Sequence, residues 1–374
     1  MANASPALLG MSILYRKSDQ REGFTFSEAD QEMQWTVHRG ELQKLFLEHI
    51  CHPERVHLGK RLASYVQPKD ADGPIELRFQ DGSSTSCDVL FGADGVKSTV
   101  RAVMFTQLAD AAKDAGCEQE SDSLRSCIPA AWSGTTVYRG LLERDPIADG
   151  KPPPLNMSHL MISLVAYPIS KGRVLNVVAV VTNPELGGTV YEGPWTADAS
   201  VEEVRSLYAG WEPEVEDVLQ NVGSWSKWAI HVVNDLPTFV DGRVVLFGDA
   251  AHGMTPHQGA GAGQGFEDAL MLGQFIGQSN VTKDNIHTAF KIYDSFRRPF
   301  TQRVAAASMQ MGLMHSLIHP ELNAPVTSSS VAGEYLAKIV ENIERFKEWR
   351  RENDLMEDCQ SALRLLQEKI IETS

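Results

Sequence analysis

No C-x-x-C pair occurs in the 374-residue sequence, and its five cysteines, Cys51, Cys87, Cys117, Cys127 and Cys359, are an odd, scattered set. That spacing argues against a disulfide framework or a zinc ribbon and for a reducing, cytoplasmic setting. Runs of about 20 apolar residues, the length of a membrane span, are also missing. The longest candidate, Val174 to Val181, is short and strand-like. The opening MANASPALLGMSILYRK lacks the ordered basic, apolar and cleavage regions of a secretory leader, so a soluble protein is expected. Positive charge is scarce: 34 Lys and Arg against 49 Asp and Glu leave a net charge of −15, which repels nucleic-acid phosphate except at a local basic patch. Any anionic ligand must be met by local donors.

What remains is an ordinary globular composition, 43% hydrophobic and 22% charged, in a 41.2 kDa chain long enough for two packed domains. Val37 to Ile50 places Leu42, Leu45, Phe46 and His49 on one helical face. Alternation around D-G and G-S turns then predicts a strand meander whose last piece, CDVLFG, enters a buried sheet. The small and polar stretch from Ala109 to Pro129 predicts a loop or irregular helix. TTVYRGLLE, HLMISLVAYPIS and RVLNVVAVVTN read as an antiparallel sheet, followed by a helical stretch from Ala199 to Val222. A short buried strand, GRVVLFGDAAHG, then leads into helix-rich sequence that continues from Thr282 to the C-terminus.

The segment GDAAHGMTPHQGAGAGQGFEDAL, Gly248 to Leu270, concentrates the chemistry. A strand ending at Asp249 and a helix opening in a Gly/Ala run leave backbone N–H groups with little side-chain obstruction. Such a helix start favours an anionic or electron-rich ligand edge. Asp249 can accept hydrogen bonds from polyol or ribose hydroxyls. Together they suit a large planar cofactor with a sugar-like tail, although a tight turn for helix packing alone is the bland alternative. GAGAGQG does not satisfy the dinucleotide fingerprint, because Gln264 and Phe266 fall where a third glycine is required. Val96 breaks the phosphate-loop pattern in GVKST, and no G-x-S-x-G signals a hydrolase. His252 and His257 have no third ligand nearby, so no metal is expected there.

VVLFGDAAHGMTPHQGAGAGQGFEDAL resembles the GD motif of the single-component FAD-dependent aromatic hydroxylases, especially the salicylate hydroxylase-like fungal flavoprotein monooxygenases. LFGADGVKSTVR, Leu90 to Arg101, resembles the DG motif of that family, and VHRGEL lies upstream in the family order. The resemblance covers roughly Val37 to Phe300. It implies an α/β fold in which a Rossmann-like FAD-binding domain, 1–108 and 240–300, carries an inserted, mostly antiparallel substrate domain, 109–239. A C-terminal helical region, 301–374, completes the expected arrangement. Complete members open with a β-α-β unit carrying G-x-G-x-x-G and an acidic ribose ligand. The first 36 residues here show neither, so the chain is expected to begin after that unit, with the FAD domain N-terminally incomplete.

The same resemblance implies FAD as cofactor, NADH or NADPH as co-substrate, O2, and a small aromatic or phenolic substrate in a monomer or homodimer. Carried over by position, Asp249 binds the ribityl region of the flavin, and the backbone of Gly261, Ala262 and Gly263 faces its ring. Arg39 in VHRGEL contacts FAD, the alternative being a solvated arginine at a helix start. Asp94 is linked to the pyrophosphate region and to use of the nicotinamide, and a helix-capping role can coexist with that. Arg139 and Tyr167 are the candidate catalytic residues: an arginine stabilises a phenolate and a tyrosine orients its hydroxyl. Ordinary sheet hydrogen bonding is their alternative. Tyr138, one residue away, belongs on the opposite face of a regular strand. A non-catalytic remnant of the fold with weak FAD binding is the competing functional expectation.

Overall fold

The computed structural model describes residues 12–30, 39–68, 73–143, 156–159, 162–169, 173–318, 333–351 and 354–373. Strands β1 (Ser12–Lys17) and β2 (Phe24–Asp30) pair antiparallel and precede helix α1 (Arg39–Glu48). The meander β3 (Leu62–Val66), β4 (Ile75–Phe79) and β5 (Ser84–Cys87) follows, and then the short strand β6 (Leu90–Gly92). Helices α2 (Thr99–Asp114) and α3 (Glu118–Ser126) cover most of the Ala109 to Pro129 stretch, expected to be a loop or irregular helix, as regular helix. The correction has a physical cause. Ala109, Ala111 and Ala112 carry high helix propensity, and the break falls at Gly116, whose φ of 80° suits a left-handed helix stop.

Next come β7 (Ala131–Glu143), β8 (Asn156–His159), β9 (Ile162–Ile169), β10 (Val174–Thr182) and β11 (Thr196–Ala199). Helices α4 (Val201–Leu207) and α5 (Pro213–Asn221) lead to β12 (Trp225–Val232), β13 (Val240–Asp241) and β14 (Val244–Leu246). The chain continues through α6 (Asp249–His252), α7 (Gly261–Ile276), α8 (Ile286–His315), α9 (Gly333–Arg351) and α10 (Leu355–Thr373). Val37 and His38, at the start of the expected first helix, lie outside the described residues.

The chain divides into two units. One draws on residues 1–56, 132–230 and 312–345, and is built on an eight-stranded sheet of order β11-β12-β7-β10-β9-β8-β1-β2. Its pairings are antiparallel from β7 through β10 and β9 to β8, and parallel between β8 and β1. Strand alternation sends Tyr138, Leu164, Ala166, Val177 and Ala179 to one face, where they pack with Val204, Tyr208, Trp211, Val215 and Leu219 of the α4–α5 region. Burying each large side chain there contributes about 1.5–3 kcal/mol. Helix α1, assigned to this unit, has no buried residue, so its expected apolar face is not part of the described core.

The other unit draws on 57–131, 231–311 and 346–374. It holds the β3-β4-β5 sheet and a second sheet of order β13-β14-β6, in which β14 and β6 run parallel. Val244, Val245 and Leu246 are fully buried, as a strand covered on both faces requires. They share a core with Met104 and Phe105 of α2, Met271 and Phe275 of α7, and Phe290 and Tyr293 of α8.

Candidate functional site

The parallel β14–β6 pair aligns Leu246 with Gly92, so both chains leave the sheet at the same carboxyl edge. Loops at such edges are where open α/β sheets carry ligands. Asp94 follows β6, and Gly248-Asp249 follows β14. Gly92 lets the two strands and α2 close up: a methyl there would lie 2.8 Å from side-chain atoms of both Leu246 and Val100. Gly248 turns the chain into α6 with φ 60° and ψ −147°, a conformation that side-chain-bearing residues rarely adopt.

Asp94 caps α2. Its carboxylate accepts from the Ser98 hydroxyl and from the backbone N–H of Thr99 and Val100, and it remains exposed to solvent. Arg101, buried behind it, donates to the carbonyls of Ala250 and Val96 at 2.8 and 2.7 Å. Burial lowers the Arg101 pKa, and the field of Asp94 acts against that shift. The arginine thereby ties the loop after β6 to α6 within one unit.

Asp249 is exposed, and its carboxylate has no hydrogen-bond or ion-pair partner among the described residues. One of its oxygens lies 3.9 Å from where a Cβ on Gly261 would sit. Gly261, Ala262 and Gly263 form the first turn of α7, whose first N–H groups have no partner within the helix, and no side chain caps them. A Cβ on Gly263 would meet nothing within 4 Å. An uncommitted carboxylate beside open, uncapped amides fits a flavin with a polyol tail.

Behind this loop lies a buried polar network that sequence reasoning missed. Asp268 is fully buried and accepts from Gly248 N at 2.9 Å, from His252 Nε2 at 2.6 Å and from Arg297 Nε at 2.7 Å. Burial acts to raise its pKa, but His252, Arg297 and Gly248 together hold it below the ordinary aspartate value. Arg297 also reaches Glu267 at 2.9 Å and the Gln264 side chain at 2.7 Å. The signal was present in α7: Gln264, Asp268, Met271, Leu272 and Phe275 are its buried residues, so two polar groups sit on the helix's inward stripe.

Arg139 and Tyr167 come together on the eight-stranded sheet. Arg139 lies opposite Val178, and Tyr167 lies opposite Asn176, two positions along the same strand and on the same face. Arg139 Nε donates to Asn176 Oδ1 at 2.8 Å. Burial raises the Tyr167 pKa, while the charge of Arg139 and a hydrogen bond from Asn176 pull it down. Tyr138 turns the other way and donates to Glu203 at 2.8 Å. Arg39, by contrast, is an exposed residue at the start of α1. Asp94, Asp249 and Gly261 to Gly263 belong to one unit, and Arg39, Arg139 and Tyr167 to the other.

The helix start and carboxyl-edge loops are a candidate cofactor site on an α/β unit, carried in one chain with an antiparallel-sheet unit. Residues 194–308 match a family model described as an FAD binding domain. The chain is 30% identical to the FAD-dependent monooxygenase str9 of Strobilurus tenacellus, over 96% of this chain and 82% of that relative. It is 31% identical to a salicylate hydroxylase of Pseudomonas putida, over 88% of this chain and 72% of the relative. A solved salicylate hydroxylase substrate complex superposes with a TM-score of 0.76 at 26% identity, covering 96% of this chain and 84% of that one. The chain belongs to the family of FAD-dependent monooxygenases that includes the salicylate hydroxylases. Its fold is accordingly the α/β flavoprotein fold with an antiparallel sheet and C-terminal helices.

Proposed function

We propose that the chain hydroxylates a small aromatic substrate bearing an acidic oxygen, phenolic in the simplest case, with NADH or NADPH as reductant and O2 as the oxygen source. The observation that carries this reading is the uncommitted Asp249 carboxylate beside the uncapped amides of Gly261 to Gly263. Asp249 would accept from the ribityl hydroxyls of a bound FAD, and the amides of Gly261 to Gly263 would face its ring. Asp94 holds its loop in shape by capping α2 and serves the pyrophosphate region, and Arg39 contributes a positive charge to the cofactor. Bound FAD supplies the redox chemistry, accepting hydride and activating oxygen.

The remaining work falls to the sheet residues. Arg139 stabilises the substrate oxyanion as a hydrogen-bonded ion pair, and Tyr167 donates to the same oxygen and fixes the ring's orientation. The five cysteines are free, which suits a cytoplasmic location, and among the described residues no helix is long and apolar enough to cross a membrane.

The test is purification followed by a bound-flavin spectrum, then NADH- and NADPH-driven oxygenation of salicylate, resorcinol and orcinol by wild type and Arg139→Ala. A yellow protein whose product formation collapses in Arg139→Ala, with flavin content intact, supports the reading. A colourless protein that ignores added FAD supports the non-catalytic remnant instead. Equal product from both proteins removes Arg139 from the chemistry.

A further inference from the structure

We infer that Asn176 is a positioning residue which fixes the hydrogen-bond polarity of the Arg139–Tyr167 pair, so that the sheet presents only donors to a substrate oxyanion. The inference rests on the proposed role of that pair. Its geometry stands on three adjacent strands: Asn176 of β10 lies opposite Tyr167 of β9, and its side-chain oxygen takes the Nε–H of Arg139 of β7 at 2.8 Å. Asn176 is only 1% exposed, so the amide has no solvent-facing alternative for its two ends.

An asparagine amide carries one acceptor end and one donor end. Oδ1 takes the Arg139 Nε–H, and the hydrogen bond from Asn176 acts to lower the Tyr167 pKa, as a donor to its oxygen does, so the end that meets Tyr167 is the Nδ2 donor. The Tyr167 oxygen therefore accepts from Asn176, and its own proton is left to point at another acceptor. Arg139 spends one N–H on Asn176 and keeps the four on its terminal nitrogens; the residue is exposed, so these are open to a ligand. A phenolate or carboxylate, which accepts only, matches that donor set. A neutral ring amine or an undissociated hydroxyl matches it less well. Arg139 is the charged group acting on Tyr167 among the described residues, and burial keeps the phenol protonated as a donor despite it.

Asn176→Asp and Asn176→Leu test the assignment with a readout that needs no substrate. Near-ultraviolet difference titration of the holoprotein, with Tyr167→Phe subtracted, follows the ionisation of Tyr167 alone. Both variants are expected to move it to higher pH: Asn176→Leu removes the stabilising donor, and Asn176→Asp places a negative charge against the phenolate. If Asn176→Asp fails to fold, the near-isosteric Asn176→Leu carries the same titration. An unmoved or lowered Tyr167 titration overturns the polarity assignment.

The second readout is steady-state kinetics on whichever of salicylate, resorcinol and orcinol the wild type oxygenates. Asn176→Asp is expected to raise KM about tenfold at unchanged flavin content, because Tyr167 then donates to the new carboxylate instead of the substrate. An unchanged KM overturns the positioning role. These outcomes are separate from failure of the functional reading, which Arg139→Ala decides on turnover alone.

Discussion

Arg297 Nε lies 2.7 Å from Asp268 Oδ1 in a region closed to solvent, and the other oxygen of the same carboxylate holds the backbone N–H of Gly248 at 2.9 Å. One buried anion thus joins α8, α7 and the residue that turns the chain into Asp249. The exposed loop that carries Asp249 is tied through Gly248 to this buried carboxylate. Asp249 can remain uncommitted because Asp268 carries the structural hydrogen bonds.

Replacing Asp268 with asparagine should therefore act on stability first. The variant leaves the buried Arg297 guanidinium with Glu267 as its remaining anionic partner. Breaking a buried ion pair from one side costs about 3–5 kcal/mol. A loss of that order in urea unfolding, with reduced flavin content in the folded fraction, is expected. A change below about 1 kcal/mol would show that the network is not a determinant of the loop.

Asp249→Ala should behave in the opposite way. The side chain is exposed and has no partner among the described residues, so folding stability should stay within about 0.5 kcal/mol of wild type. FAD occupancy after gel filtration should fall severalfold. Retained flavin at wild-type stoichiometry would remove Asp249 from the cofactor site.

Much of this arrangement was legible in the sequence because local rules and tertiary demands agree there. VVL ahead of Gly248 reads as a covered strand and is one, and the alternation around Arg139 correctly separates it from Tyr138. The regular helix from Ala109 to Ser126 was only partly legible, as a loop or irregular helix, because small and polar residues signal loops as readily as they form helices. Asp268, Arg297 and Asn176 were missed for a different reason. Each is a polar residue with a partner on another element, 29 residues away in the Asp268–Arg297 bond and 37 in the Arg139–Asn176 bond. Spacing along one element cannot reveal such partners.

Glycines at the two motifs should separate packing from binding. Gly92→Ala puts a methyl 2.8 Å from Leu246 and Val100 side-chain atoms inside the core, and overpacking of that kind costs about 1–3 kcal/mol. Gly263→Ala meets nothing within 4 Å, and alanine is favoured over glycine in a helix by up to about 1 kcal/mol. Gly92→Ala is expected to lower the Tm, whereas Gly263→Ala is expected to keep or raise it while weakening FAD binding, since its methyl would stand where the amides are proposed to meet the flavin ring. Unweakened FAD binding in Gly263→Ala would contradict the proposed ring position.

His257 gives the fold a pH dependence of defined sign. Both ring nitrogens are shut off from solvent, and burial lowers the pKa from 6.5 to about 4, with a hydrogen bond to the Ser308 backbone opposing the shift. Between those values the unfolded chain binds the proton and the folded chain does not. Stability is therefore full well above pH 6.5 and falls as the pH drops toward 4, by a total on the order of 1–3 kcal/mol. Asp268, whose pKa is depressed below the ordinary aspartate value, contributes its loss only at still lower pH, so the two effects occupy different windows. Urea midpoints measured from pH 7 to 5 for wild type and His257→Gln should diverge in slope, the variant being the flatter. Parallel slopes would mean that His257 is already protonated in the folded chain at pH 5, and that its ring is open to solvent.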